Sequence, residues 1–255
     1  MSEEKFQKLV DIMARLRGFP APGCPWDMKQ THRSILPYIV EETYEVVDAI
    51  EQEKPEKISE ELGDLLLQVV FHSQMAKEAG DFDIDEVLDK IAAKLIRRHP
   101  HVFGDKDLKT PQEVLVEWEK IKLEQEPEKR ESILDGLPKH LPALLTAQRI
   151  QERAGRRGFD WKDHTGPLEK LREELAEFEK AVEARDRENI EEELGDILFS
   201  LVNIARFMEI NAEEALRGTN KKFITRFRKI EKAGSNLTLD QMEEIWQKSK
   251  EEEKR

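Results

Sequence analysis

Apolar residues recur every three or four positions through "SILPYIVEETYEVVDAI" (34–50) and "EKISEELGDLLLQVVFHSQMAKEAG" (56–80), the spacing of amphipathic helices. Gly80 suits a C-terminal stop for the second of them. "DIDEVLDKIAAKLIRRHP" (83–100) opens with a capping pair, Asp83 and Glu86, and must end near Pro100. "TPQEVLVEWEKIK" (110–122) offers Thr110 as N-cap, Pro111 at the first helical position and Glu113 three residues past the cap. Similar signals return later: Asn211 with Glu214, Thr238 with Gln241, and Gly234 as a stop. No segment sustains the two-residue alternation of a strand. The chain is therefore expected to be all-α.

The pattern occurs twice. "RGF" stands at 17–19 and at 157–159, and Trp26 in "PWD" answers Trp161 in "DWK". Glu42 and Glu61 reappear as Glu174 and Glu193, both 132 positions on; Lys94 and Trp118 reappear as Lys222 and Trp246, both 128 positions on. Order is kept while the offset shrinks in steps, as expected when insertions and deletions fall in loops of a duplicated unit. The charged, Pro- and Gly-containing stretch 124–142 reads as the junction. The expected organisation is a helical domain over 1–123, a linker over 124–142 and a second helical domain over 143–255, each a bundle of about four helices.

Composition narrows the chemistry. A chain of 255 residues has room for two small cores. Its net charge of −13 argues against a nucleic-acid backbone as partner, although a bridging cation would still admit a polyphosphate. No 18-residue apolar run is present, so no membrane span is expected. The opening "MSEEKFQKL" lacks the apolar stretch of a secretory signal, and the single Cys24 excludes an internal disulfide. A cytoplasmic location is expected.

The unusual feature is acidic. "EETYE" (41–45) and "EELAE" (173–177) are each followed, after the same gap, by "ELGD" (61–64 and 193–196); 15 residues separate Glu45 from Glu61, and Glu177 from Glu193. On helices, Glu42 and Glu45 share a face, as do Glu61 and Asp64. Glu61, Asp64, Gln68 and His72 form a polar stripe on an otherwise apolar helix, matched by Glu193, Asp196, Ser200 and Asn203. Carboxylates in such surroundings need compensation, and no Lys or Arg lies within those stripes. A divalent cation would supply it. Oxygen-only ligands favour Mg²⁺ or Mn²⁺; no calcium loop is present, and no Glu precedes a His by three as a helical di-iron site requires.

These motifs, with "GCPWD", "THRSILPYIVEETYEV", "ELGDLLLQVVFH", "RRHPHVFGD" and "RIQERAGRRGFDW", resemble the tandem form of the MazG family of all-α nucleoside triphosphate pyrophosphohydrolases over almost the whole chain. The resemblance implies Mg²⁺-dependent hydrolysis of NTPs and dNTPs at the α–β linkage, broad base tolerance and a house-cleaning role. It also implies a homodimer in which two subunits complete each bundle. Glu42, Glu45, Glu61 and Asp64, and in the second copy Glu174, Glu177, Glu193 and Asp196, would hold the metal. Glu41 and Glu173 would hold a second ion or position the attacking water. Lys94, Arg97 and Arg98 in one copy, and Asn220, Lys222 and Arg226 in the other, would meet the triphosphate; Ala92 stands opposite Asn220. Trp118 and Trp246 either stack on the base or pack in the core. Two rival classes stay open: a dedicated dUTPase-like or phosphoribosyl-ATP pyrophosphohydrolase, and a non-catalytic acidic interaction protein.

Overall fold

A computed structural model describes residues 2–125 and 132–253; part of the expected junction, 126–131, lies outside them. Among the described residues are eleven α-helices and one 3₁₀ turn at Asp27–Lys29, with no strand. By internal packing the chain divides into two units, Met1–Trp118 and Glu119–Arg255. The first half supplies α1 (Ser2–Leu16), α2 (Leu36–Glu51), α3 (Pro55–Ala79), α4 (Ile84–Arg98), the single turn α5 (Pro100–Phe103) and α6 (Pro111–Gln125). The second supplies α7 (Ala143–Arg156), α8 (Thr165–Ala184), α9 (Arg187–Phe207), α10 (Ala212–Ala233) and α11 (Leu239–Glu252). Each half thus has one long helix more than the four expected, α1 and α7.

The termini form where the sequence supplies caps. Asp83 accepts from the Glu86 backbone N–H at 3.1 Å, and Asn211 accepts from Glu213 and Glu214. Thr110 and Glu113 cap each other, as do Thr238 and Gln241. Gly80 ends α3 in the left-handed conformation at φ +78°. Gly18 and Gly158, 140 positions apart, also share positive φ, +90° and +84°, so the duplication persists in the backbone. The turn after α2 ends at Pro55, the first residue of α3, and Arg185 and Asp186 join α8 to α9. Connections this short lay each pair of helices side by side as a hairpin.

In the first unit Met13, Ile35, Val70, Phe71 and Met75 form the buried centre, flanked by Phe6, Leu9 and Val10 from α1. In the second, Ala181, Ile197, Val202 and Ile230 are buried. Arg153 donates to the carbonyls of Ile133 and Asp135, so the segment leading into α7 folds back on that helix.

An ion pair closes each hairpin against its first helix, with the charges exchanged. Arg17, after α1, grips Glu78 of α3 through Nε at 3.0 and 3.1 Å and also donates to the Gln30 carbonyl. In the second unit Asp160, after α7, accepts from Arg206 of α9 at 2.6 and 2.9 Å. Burial pushes the Glu78 carboxyl up, but the bonds from Arg17 and Gln74 outweigh it and hold the carboxyl below its ordinary value. A depressed carboxyl stabilises the fold above the unfolded pKa, and that stability is lost as pH falls through the folded value. Arg17→Met is therefore expected to cost about 2 kcal/mol at neutral pH, between exposed and buried pairs. Urea unfolding at pH 7 and at pH 3 checks this: the deficit should shrink at the lower pH, and a deficit equal at both would exclude the charge as its cause.

Candidate carboxylate centres

Each hairpin brings the two acidic motifs together. Glu42 and Glu45 of α2 face Glu61 of α3, and Glu174 and Glu177 of α8 face Glu193 of α9. In each triad, oxygens from the three carboxylates lie within 4.8 Å of one another. Asp64 and Asp196 add their charge: burial first, then Asp64, Glu45 and Glu41 raise the Glu42 carboxyl above its ordinary value. Glu193 is raised in the same way by burial, then by Glu177, Glu174 and Asp196. Like charges this close oppose one another's ionisation, and a cation among them relieves it.

The residues fit a hard divalent ion. The donors are all carboxylate oxygens, and Glu193 Oε2 is buried without a hydrogen-bond partner. Glu41 and Glu173 sit exposed at the margin of the clusters. The stripes themselves hold no Lys or Arg, but two lysines approach the carboxylates from outside them. Lys57, one turn before Glu61, comes within 3.7 Å of it, and Lys170 places Nζ 2.7 Å from Glu174 and 2.9 Å from Glu173. Bonds from Glu174 and Glu173 raise the Lys170 ammonium above its ordinary value. Neither lysine was recognised from sequence, because an i,i+4 Lys–Glu pair looks like ordinary surface decoration. His72, at the far end of its stripe, is engaged by His32, with the two Nδ1 atoms 2.7 Å apart.

A cleft of about 510 Å³ opens beside the second triad, lined by Glu174, Asp196, Ser200, Asn203, Phe199 and Trp161 among others. Trp161 is half exposed there. It sits so close to Gly166 that a Cβ at that position would lie 2.0 Å from the indole. An aromatic wall next to grouped oxygens suits a ligand with one flat apolar end and one charged end.

The remaining predicted residues are distributed differently. Lys94, Arg97, Asn220 and Lys222 are exposed on α4 and α10. Arg226 is committed to α11: it donates to Glu253 from Nε at 3.1 Å and lies 5.3 Å from the Trp246 ring centre. The charges of Lys229 and Lys222 also reach Glu253. Trp246 is further covered by Phe223 at 5.1 Å, and Trp118 meets His99 edge-on at 5.0 Å. Each tryptophan thus touches a neighbouring element, Trp246 the helix α10 and Trp118 the end of α4. Arg98 is half-buried, with Nε lacking a hydrogen-bond partner.

Comparison with known proteins agrees with this arrangement. The profile of the MazG nucleotide pyrophosphohydrolase domain matches residues 30–103 and 162–230, one segment in each unit. The nucleoside triphosphate pyrophosphohydrolase/pyrophosphatase MazG of Thermotoga maritima is 46% identical over 252 residues, covering 96% of this chain and 95% of that protein. The nucleoside triphosphate pyrophosphohydrolase of Escherichia coli K12 is 46% identical over 259 residues, covering 98% of both. A paired acidic hairpin in each half, a profile match to each half and full-length relatives lead to one conclusion: the chain belongs to the MazG family.

Proposed function

We propose that this protein hydrolyses nucleoside triphosphates, ribo- and deoxyribo- with broad base range, to the monophosphate and pyrophosphate. The observation that carries the reading is the second hairpin, where three carboxylates converge beside a cleft with an aromatic wall. Mg²⁺, or Mn²⁺ in its place, would be held by Glu42, Glu45, Glu61 and Asp64 in one unit and by Glu174, Glu177, Glu193 and Asp196 in the other. Bound there, the ion would neutralise phosphate oxygens and favour a hydroxide-like water. Glu41 and Glu173, at the cluster margins, orient that water or hold a second ion. Lys170, paired with Glu174 at 2.7 Å, would be free to meet a phosphate oxygen if a cation took over that carboxylate. Lys94, Arg97, Asn220 and Lys222 supply further polar contacts to the substrate. An aromatic wall stacks on any base, which suits a house-cleaning enzyme of the cytoplasmic nucleotide pool.

Assembly is part of the reading. Leu62, Leu66 and Val69 on α3 are 49, 41 and 37% exposed, and their counterparts Leu194, Leu198 and Leu201 on α9 are 47, 46 and 46% exposed. The same apolar stripe is uncovered in both copies, which supports a homodimer in which the second copy covers it.

The decisive assay is product analysis with a panel of NTPs and dNTPs. Pyrophosphate and monophosphate are expected in equal amounts, with activity abolished by EDTA and restored by excess Mg²⁺. Orthophosphate as the first product would refute the α–β reading, and one sharply preferred base would replace broad tolerance with a dedicated enzyme.

A further inference from the structure

We propose that Gln151 of α7 and Asn203 of α9 read the hydrogen-bonding edge of the base in the second unit, a specificity contact that rests on the nucleotide reading above. Both residues line the cleft beside the carboxylate triad, and they are only 6% and 5% exposed. Gln151 Nε2 donates to the Phe199 carbonyl at 2.8 Å. A carbonyl only accepts, so this amide cannot be turned over, and Oε1 is the atom left. That oxygen is buried without a hydrogen-bond partner. Asn203 is fixed in the opposite sense. Its Oδ1 accepts from Arg206 Nε at 2.9 Å and from a second guanidinium nitrogen at 2.8 Å, leaving Nδ2 as the uncommitted end of its amide. Arg206 is in turn held by Asp160, the residue before Trp161, so the ion pair that closes the hairpin also orients the amide.

Phe199 stands one turn before Asn203, so the bond from Gln151 brings its amide to the same stretch of α9. The cleft thus offers one committed acceptor and one committed donor next to an indole wall. Adenine, cytosine, guanine and uracil each carry an N–H donor beside an acceptor on their pairing edge, so an amide of each sense can meet any of them while the ring lies against Trp161. A flat ring without those groups stacks as well but leaves Gln151 Oε1 unsatisfied, which costs affinity. The arrangement therefore accepts many bases and still requires one. It is not repeated in the first unit. There, 132 positions earlier, Phe71 stands at the register of Asn203 and Gln74 at that of Arg206. Phe71 belongs to the buried centre, and Gln74 donates to Glu78. The edge contact is a property of the second unit.

The test compares ATP with benzimidazole riboside triphosphate, which keeps the triphosphate and a flat bicyclic ring but has neither edge donor nor edge acceptor. Affinities of the full-length chain for the non-hydrolysable α,β-methylene form of each are measured by equilibrium dialysis with Mg²⁺, and kcat/KM is measured for the hydrolysable forms. Wild type is expected to favour the adenine nucleotide about tenfold in both, the effect of one or two neutral hydrogen bonds. Gln151→Met should remove most of that preference by weakening the adenine nucleotide alone. Asn203→Asp keeps the oxygen that Arg206 grips but loses the donor, and it should lower the same ratio. Gln74→Met, in the first unit, should leave the ratio unchanged. A role in holding α7 against α9 and nothing more would weaken both nucleotides equally, which overturns the proposal. So does a wild type that binds or hydrolyses the two alike, or a preference that survives both Gln151→Met and Asn203→Asp. Selective binding without pyrophosphate release would refute hydrolysis and leave the edge contact standing. Equal pyrophosphate release from both nucleotides would do the reverse.

Discussion

Glu177→Gln is expected to lower kcat/KM for pyrophosphate release by about 10²–10³-fold, because one metal-facing charge is worth several kcal/mol to a phosphoryl-transfer transition state. The substitution keeps size and hydrogen-bonding capacity, so the α8–α9 hairpin should stay folded. It removes one of the charges that, after burial, raise the Glu193 carboxyl, which should therefore ionise more readily in the variant. Metal affinity should fall nonetheless, since a neutral amide replaces an anion at a site defined by three converging carboxylates. Glu45→Gln makes the equivalent change in the first unit, and it is expected to cost less. The second triad is the one with the cleft beside it and with Asn220 and Lys222 on the following helix. Steady-state rates for wild type, both single variants and the double variant decide the matter. Equal losses from the two single variants would give the units equal shares. A Glu177→Gln enzyme at full rate would remove the second triad from the reaction.

The carboxylate centres were legible because they depend on short-range geometry. Glu42 and Glu45 are one turn apart, and a fixed 15-residue gap spans one hairpin turn, so the pairing with Glu61 follows from helix period and loop length alone. The caps at Asp83, Thr110, Asn211 and Thr238 are equally local. What the sequence concealed depends on how helices cross. Phe6, Leu9, Val10 and Met13 have helical spacing, yet α1 matters because that face meets Val70 and Phe71 of α3. Arg226, expected at the triphosphate, also bonds Glu253 27 positions away, a contact set by the packing of α10 on α11. Trp161 reaches the cleft because the chain bends back to place it on Gly166. Lys170 and Lys57 escaped notice for a different reason: their spacing carries no mark that separates a site cation from a surface pair.

Light scattering is expected to give twice the 29.8 kDa chain mass, and the double variant Leu66→Asp, Leu198→Asp is expected to lose both that assembly and most activity. Glu61 and Asp64 lie on one stripe of α3, and Leu62, Leu66 and Val69 on the adjacent one. The second copy repeats this with Glu193 and Asp196 beside Leu194, Leu198 and Leu201. A partner seated on the leucines therefore also walls the carboxylates, lowering the local dielectric in which they and a metal would act. Apolar surface contributes about 25 cal/mol per Å² when buried, so a stripe repeated in two units and in two subunits favours association. The uncovered positions extend to α4 and α10, where Leu95 and Ile96 are matched by Phe223 and Ile224, all close to half exposed. A charge at the centre of such a face has no partner once buried, and its desolvation costs several kcal/mol. Melting temperature should consequently rise with protein concentration for the wild type and not for the variant. A wild-type chain that scatters as a single 29.8 kDa particle with full activity would mean that the leucine stripes are not a subunit interface and that each site works unaided.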